Sequence, residues 1–247
     1  VGAQVGDERF ERKIEVKEYV LPKFKVELVT DREYYLPGEK MKGVVNARYF
    51  FSKPVEGSLL VTAFTYEVSS KTIATISGRT DGEGSFSFEF QLPSYFVGLP
   101  IEQGKGLLFL NITVTDTAEH SETVTRSLPV AASALMLEVI PEGRAVKQGV
   151  ENNLFILTYY PDGTPAPSTV TVNGKRLRTD EVGFATVKVV PPSQGAFAVT
   201  VTAEDAEGNR AYVSKKLTVE NGTEQIRLVS DRSVFKVGEV ARLEILY

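Results

Sequence analysis

Ser85-Phe86-Ser87-Phe88-Glu89-Phe90 sets an aromatic ring at every second residue, with a polar side chain at each position between. Successive side chains of a β-strand point to opposite faces, so this spacing predicts a strand with three Phe rings on a buried side and a wet outer side. The same period recurs on both flanks. Leu108, Leu110, Ile112 and Val114 fall on one face, with Asn111, Thr113 and Thr115 on the other. Val170-Thr171-Val172, Ala185-Thr186-Val187-Lys188-Val189 and Ala198-Val199-Thr200-Val201-Thr202 repeat the pattern. Val, Thr, Phe and Tyr suit a pleated, half-buried surface. Turn signals separate the runs: Pro37-Gly38, Asp81-Gly82, Glu83-Gly84, Pro141-Glu142-Gly143, Asp162-Gly163, Asn173-Gly174 and Gly208-Asn209. Asn173-Gly174, set between Val172 and Leu177, predicts a two-residue hairpin, because both central residues tolerate positive φ. No window of about 12 residues carries a capped 3.6-residue period. Many short strands with regular turns predict an all-β chain of tandem antiparallel β-sandwiches.

An internal repeat divides the chain. Asp31-Arg32-Glu33-Tyr34-Tyr35-Leu36-Pro37-Gly38-Glu39 returns as Asp231-Arg232-Ser233-Val234-Phe235-Lys236-Val237-Gly238-Glu239, and more loosely as Glu142 to Glu151. Further landmarks follow in order. Lys53-Pro54-Val55-Glu56-Gly57 matches Gly163-Thr164-Pro165-Ala166-Pro167. Thr80-Asp81-Gly82-Glu83-Gly84 matches Thr179-Asp180-Glu181-Val182-Gly183, and Thr113-Val114-Thr115-Asp116 matches Thr202-Ala203-Glu204-Asp205. The repeat predicts a closing strand of one module in residues 1–18, complete modules at 19–132 and 133–221, and the start of another at 222–247, near Gln225. The ends of the sequence read as cuts inside a longer chain. Linkers of a few residues predict modules that pack on each other.

The repeated residues read as hairpin devices. The Asp of Thr-Asp-x-x-Gly accepts amide N–H groups two residues on, and the Gly supplies the positive φ that closes the turn. Asp81, Gly84, Asp180 and Gly183 are therefore assigned to folding rather than to a ligand. His120 is the lone histidine, in Asp116-Thr117-Ala118-Glu119-His120-Ser121. Its neighbours Glu119 and Ser121 point away from it by strand geometry, so no nucleophile–base–carboxylate set forms there. Asp81, Glu83 and Ser85 offer oxygens at alternate positions, as calcium loops do, but lack the late Glu; Ala203 to Asn209 is a second acidic turn. Both read as solvated hairpin tips. There is no GxSxG, HExxH or P-loop motif. Asn111-Ile112-Thr113 and Asn221-Gly222-Thr223 have the glycosylation sequon, with Asn111 in mid-strand and Asn221 in a linker.

The totals agree with a non-catalytic reading. The 247 residues are 42% hydrophobic and 24% charged, with net charge −4 and no cysteine. Scattered basic residues argue against nucleic acid. Without Cys there is no disulfide, thiol nucleophile or thiolate metal site. No apolar run of about 18 residues predicts a membrane span. The expected catalytic, cofactor-binding and metal residues are none.

Glu18-Tyr19-Val20-Leu21-Pro22-Lys23-Phe24-Lys25-Val26 resembles the junction of the second and third macroglobulin domains in the α2-macroglobulin and complement C3/C4/C5 superfamily. Lys53-Pro54-Val55-Glu56-Gly57 is similar to the family's next turn; Gly163 to Pro167 and Thr179 to Gly183 are similar to motifs of its fourth domain. The resemblance implies fibronectin/immunoglobulin-like macroglobulin domains three and four, with the ends of their neighbours. It implies a scaffold segment of a broad-spectrum protease trap, extracellular or periplasmic. Its partners would be neighbouring domains of the same chain, with target proteases engaged only through the full-length protein. Family members act through a bait segment and, in many, a Cys-Gly-Glu-Gln thioester; this chain has no Cys to form one. Vertebrate members carry disulfides in these domains, so their absence implies a bacterial or archaeal homologue. The competing expectation is a stalk of immunoglobulin-like repeats from a bacterial surface adhesin.

Overall fold

The computed structural model describes residues 2–5, 8–11, 21–66, 69–97, 104–191, 195–220, 227–230 and 236–246. Glu18 to Val20 of the junction signature, the sequon at Asn221, Gln225 and Asp231 to Phe235 lie outside the described residues. No helix occurs among the described residues.

The chain starts with a small antiparallel hairpin, β1 (Gly2–Val5) and β2 (Glu8–Glu11). It lies within residues 1–18, where the sequence predicts the closing strand of a preceding module, and its register runs from Gly2 opposite Glu11 to Val5 opposite Glu8.

Seven strands then build the first sandwich: β3 (Phe24–Thr30), β4 (Lys40–Tyr49), β5 (Gly57–Tyr66), β6 (Ser70–Arg79), β7 (Ser85–Gln91), β8 (Lys105–Asp116) and β9 (Ser121–Ala131). One sheet runs β3-β4-β7 and the other β6-β5-β8-β9, with every pairing antiparallel. Alternation puts Val45 and Ala47 inward from β4, Val61 and Ala63 from β5, and Leu110 and Ile112 from β8, all fully buried. Each fully buried Val, Leu or Ile contributes about 1.5–3 kcal/mol. Of the three Phe rings on β7, Phe88 is buried while Phe86 and Phe90 pack half-buried against the core. Phe86 covers Gly78 of β6, where a Cβ would sit 2.3 Å from the ring.

The second sandwich repeats the first strand for strand. β10 (Met136–Pro141), β12 (Asn152–Tyr159) and β15 (Phe184–Val189) take the places of β3, β4 and β7. β13 (Ser168–Val172), β14 (Lys175–Arg178), β16 (Gly195–Asp205) and β17 (Arg210–Glu220) take those of β5, β6, β8 and β9. A two-residue strand, β11 (Val146–Lys147), adds to β17 in parallel, as Tyr35 bridges in parallel to Val130 in the first sandwich. Asn173 and Gly174 make the expected turn between β13 and β14, with φ of 45° and 86°. The hydrophobic cores are separate, one from Phe24 to Val130 and the other from Leu135 to Val219.

Both sandwiches close one open side in the same way. Arg126 on β9 donates to the Leu28 carbonyl at 3.2 Å, and Lys215 on β17 donates to the Val139 carbonyl at 2.8 Å. A cation on the last strand thus satisfies an edge carbonyl of the first. A final hairpin, β18 (Arg227–Ser230) with β19 (Leu243–Leu246), carries the third copy of the repeat. In it the Lys236 amide donates to the Glu239 carboxylate at 2.9 Å and Gly238 has φ of 90°; the Leu36 amide donates to Glu39 at 2.8 Å and Gly38 has φ of 77°.

Candidate functional site

The repeated polar motifs are knots that tie sheets together. In the first sandwich Thr80 Oγ1 accepts from the Gly57 amide at 2.9 Å and donates to the Val55 carbonyl at 2.6 Å. In the second, Thr179 Oγ1 accepts from the Ser168 amide at 2.7 Å. Asp81 Oδ1 accepts from the amides of Glu83 and Ser85 at 2.9 and 2.8 Å; Asp180 Oδ1 accepts from those of Val182 and Phe184 at 3.1 and 2.8 Å. The calcium-like spacing of Asp81, Glu83 and Ser85 therefore spends its first oxygen on turn amides. Among the described residues no three His, Cys, Asp or Glu side chains gather as a metal site.

A second knot explains His120. Asp116 Oδ1 accepts from the amides of Ala118 and His120 at 2.8 and 2.9 Å, and Oδ2 lies 2.9 Å from the Tyr49 hydroxyl and 3.1 Å from His120 Nδ1. Asp205 receives the amides of Glu207 and Asn209, both at 2.9 Å, the Asn209 side-chain amide at 2.8 Å and the Tyr160 hydroxyl at 3.2 Å. His120 and Asn209 do the same work, which is to clamp a turn aspartate. Ser121 Oγ bonds instead to Thr115 at 2.7 Å, so no nucleophile meets the imidazole. Asn111 is likewise occupied, accepting from Thr125 across to β9 at 3.0 Å.

Burial alone raises a carboxyl pKa, but the His120 amide and ring, the Tyr49 hydroxyl and the Ala118 amide outweigh it and hold Asp116 down at about 2. Asp205 is held below the usual carboxylate range by Asn209, Glu207 and Tyr160, again against its burial. Both groups ionise more readily folded than unfolded, where Asp titrates near about 3.9. Their stabilisation is whole above that value and drains as pH falls through the lowered range, which for Asp116 reaches about 2. Chemical-denaturation midpoints should therefore hold from neutrality to about pH 5 and fall between about pH 4 and pH 2. Asp116→Asn should flatten the part of that fall belonging to the first sandwich; an unchanged slope would remove Asp116 from the acid response.

The third arrangement lies where the sandwiches meet. Tyr34, in the loop before β4, stacks on Tyr160, which follows β12, with ring centroids 6.2 Å apart and planes 12° apart. Burial and then Asp162, Glu207 and Asp205 push the Tyr34 hydroxyl up; burial and Asp205 push Tyr160 up to about 12. Both rings thus stay neutral and apolar at physiological pH. On the opposite face of the strand end, Lys105 Nζ bonds the Tyr159 hydroxyl at 3.1 Å and lies 4.7 Å from its ring centroid, while that hydroxyl donates to Glu138. The last residue of β12 and the residue after it therefore reach the first sandwich from both sides. Ser133 adds a bond to the Arg210 carbonyl at 3.1 Å.

Tyr34 falls inside the repeated motif without a role of its own, and Tyr49, Tyr159 and Tyr160 carry no signal in the period-two runs. Their partners across the fold lie 21 to 126 positions away, beyond the reach of periodicity. A signal exists all the same: Tyr49 precedes Pro54 by the interval at which Tyr160 precedes Pro165.

Residues 18–96 match the family model described as Macroglobulin domain MG3. Over 218 residues the chain is 26% identical to an α2-macroglobulin of Thermotoga maritima, covering 87% of the chain and 13% of that protein. It is 25% identical to an α2-macroglobulin of Ralstonia nicotianae, over 94% of the chain and 16% of the relative. It is 23% identical to complement C3 of Lethenteron camtschaticum, over 82% and 13%. The native conformation of Escherichia coli α2-macroglobulin aligns with a TM-score of 0.45 at 10% identity, over 97% of this chain and 19% of that one. The chain thus spans less than a fifth of the length of these relatives.

Proposed function

From its macroglobulin domain of the MG3 type, which places the chain in the α2-macroglobulin and complement superfamily, we propose that these sandwiches are a non-catalytic scaffold segment of a protease-trapping macroglobulin. On this reading residues 19–132 and 133–221 are the third and fourth macroglobulin domains, flanked by the end of one neighbour and the start of the next. The whole protein works outside the cytoplasm, extracellular or periplasmic, and meets target proteases through parts beyond this chain. Its partners here are adjoining domains of the same polypeptide.

The observation that carries the reading is how the conspicuous polar residues are used. Thr80, Asp81, Asp116 and His120, with their counterparts Thr179, Asp180, Asp205 and Asn209, bind backbone or one another inside turns. What remains for function is shape, stiffness and the way one sandwich seats on the next. The test compares the isolated chain with the full-length polypeptide, each mixed with trypsin or elastase. The full-length form should suppress cleavage of a large protein while sparing a small chromogenic peptide, as an entrapped protease would. The isolated chain should do neither and should hydrolyse nothing. Strong inhibition by the isolated chain would overturn the scaffold role; full-length protein that traps no protease but adheres to cells or matrix would favour the stalk.

A further inference from the structure

The turn that joins the second sandwich to the first has a counterpart in the first sandwich. Tyr160-Pro161-Asp162-Gly163-Thr164 corresponds residue by residue to Tyr49-Phe50-Phe51-Ser52-Lys53. The Tyr160 amide donates to the Thr164 carbonyl and the Tyr49 amide to that of Lys53, both at 2.8 Å. The Gly163 amide donates back to Tyr160 and the Ser52 amide to Tyr49, again at 2.8 Å. Gly163 has φ of 90° and Ser52, without a glycine's freedom, has 68°. Each tyrosine is tethered through its hydroxyl to the matching turn aspartate, Asp205 or Asp116.

The two turns differ in what covers them. Tyr160 carries the Tyr34 ring of the preceding sandwich, and Pro161 beside it is buried. Tyr49 has only rings of its own sandwich on it: Phe51 stacked at 5.2 Å and 6°, and Phe24 edge-on at 5.8 Å. Phe51 is 73% exposed, Phe50 67%, and Leu21, at the entry to the same end, 69%. Phe50 stands in water at the position where the equivalent unit buries Pro161, and Phe51 and Leu21 extend the exposed apolar patch beside it, whereas scattered single exposures need no explanation. The two joint surfaces of one sandwich lie at opposite ends of its second strand. Ten residues of β4 separate Tyr34's loop from Tyr49's turn, about 33 Å at about 3.3 Å per residue. A contact made head to tail between unlike surfaces propagates along a row of repeats.

We infer that the Tyr49–Lys53 turn, with Phe50, Phe51 and Leu21, is the seat for the β-sandwich that precedes residue 21 in the full-length polypeptide, which presents to it the loop equivalent to residues 31–39. This rests on the scaffold reading, since it requires such a sandwich to exist. The same joint is used twice: once between the two sandwiches described above, once upstream. In the upstream copy the stack is one ring longer, because Phe51 stands where the second sandwich has Asp162.

Hydroxyl-radical footprinting read by mass spectrometry tests the joint on the isolated chain and on the full-length polypeptide. In the isolated chain Phe50 and Phe51 should be oxidised as readily as exposed Tyr95, with Tyr35 protected. In the full-length protein labelling at Phe50 and Phe51 should be lost, and amine cross-links from Lys53 should map to the preceding sandwich's loop. Labelling that persists at Phe51 in the full-length form overturns the seat. Protection accompanied by Lys53 cross-links to a second copy or to another region also overturns it. A full-length sequence with no preceding sandwich overturns the scaffold reading itself, a failure visible before any footprint is taken.

Discussion

Gly183→Ala is expected to unfold the second sandwich under conditions in which the first survives. At φ of 74°, alanine pays about 1–2 kcal/mol for a left-handed backbone. The added Cβ would also stand 2.0 Å from the Thr158 carbonyl oxygen, which is backbone and part of β12. Relieving that overlap means parting the strand from the turn, and overpacking of this kind costs about 1–3 kcal/mol. The Thr158 amide donates to Gly183, the Thr158 hydroxyl reaches Ala166 and Thr179, and the Ala166 amide returns to Thr158, so one displacement breaks a linked set. The combined loss is roughly 2–5 kcal/mol, a large share of a domain's total. Gly163→Ala separates the two causes. Gly163 also has positive φ, 90°, but nothing lies within 4 Å of its Cβ position, so only the conformational cost of about 1–2 kcal/mol applies. Amide hydrogen exchange is the measurement: in Gly183→Ala, protection should vanish at Ile156 and Val201 and persist at Val61 and Ile112. Equal effects of Gly183→Ala and Gly163→Ala would refute the close-approach argument.

That prediction depends on a hairpin whose sequence was readable, and the contrast with the joint shows what reading along the chain reaches. Thr-Asp-x-x-Gly declares itself because the partners of Asp180 are amides two and four residues on, and short-range geometry is written in short-range sequence. Period-two alternation likewise marked the buried faces of β8, β13 and β16, since each sheet has one wet side. The roles of Thr80 and Thr179 were less visible: a threonine before the aspartate suits any strand, and only the fold brings Gly57 or Ser168 to its hydroxyl. The Glu of the Gly-Glu step was also opaque. Glu39 closes its loop by accepting from Leu36, while in the looser copy Asn152 accepts from Lys147 instead, so chemistry is kept while the residue and its position change. The Tyr34–Tyr160 stack joins two modules, and no repeat within a module specifies what meets it from outside.

Tyr35→Ala should be the most damaging substitution in the first sandwich outside its glycines. Tyr35 is fully buried, the largest side chain in that state, although it sits in the loop between β3 and β4 rather than in a long strand. Its amide donates to the Pro129 carbonyl and its carbonyl accepts from Ala131, both bonds reaching the last strand, β9. Its hydroxyl donates to Asp31, whose carboxylate also accepts from the Lys42 amide at 2.9 Å. The backbone of Tyr35 thus ties this loop to β9, while its ring fills the core and its hydroxyl ties the end of β3 to β4 through Asp31. Truncating a buried aromatic costs about 3–5 kcal/mol in lost transfer energy and cavity. Tyr35→Phe keeps the ring and removes one hydrogen bond to a carboxylate, about 1.5–3 kcal/mol at the upper end and less where water can reach Asp31. Val146, the counterpart in the second sandwich, fills the same parallel bridge with less volume, so Tyr35→Val refills part of the cavity that Ala leaves and should fall between Phe and Ala. Urea denaturation followed by near-ultraviolet circular dichroism ranks the three. An order in which Phe is as damaging as Ala would place the stabilisation in the hydroxyl rather than in the filled core. Because Tyr34 is the preceding residue, Tyr35→Ala should also loosen the stack on Tyr160, and the second sandwich should become more exchange-labile near Tyr159 and Tyr160 while its own core stays protected.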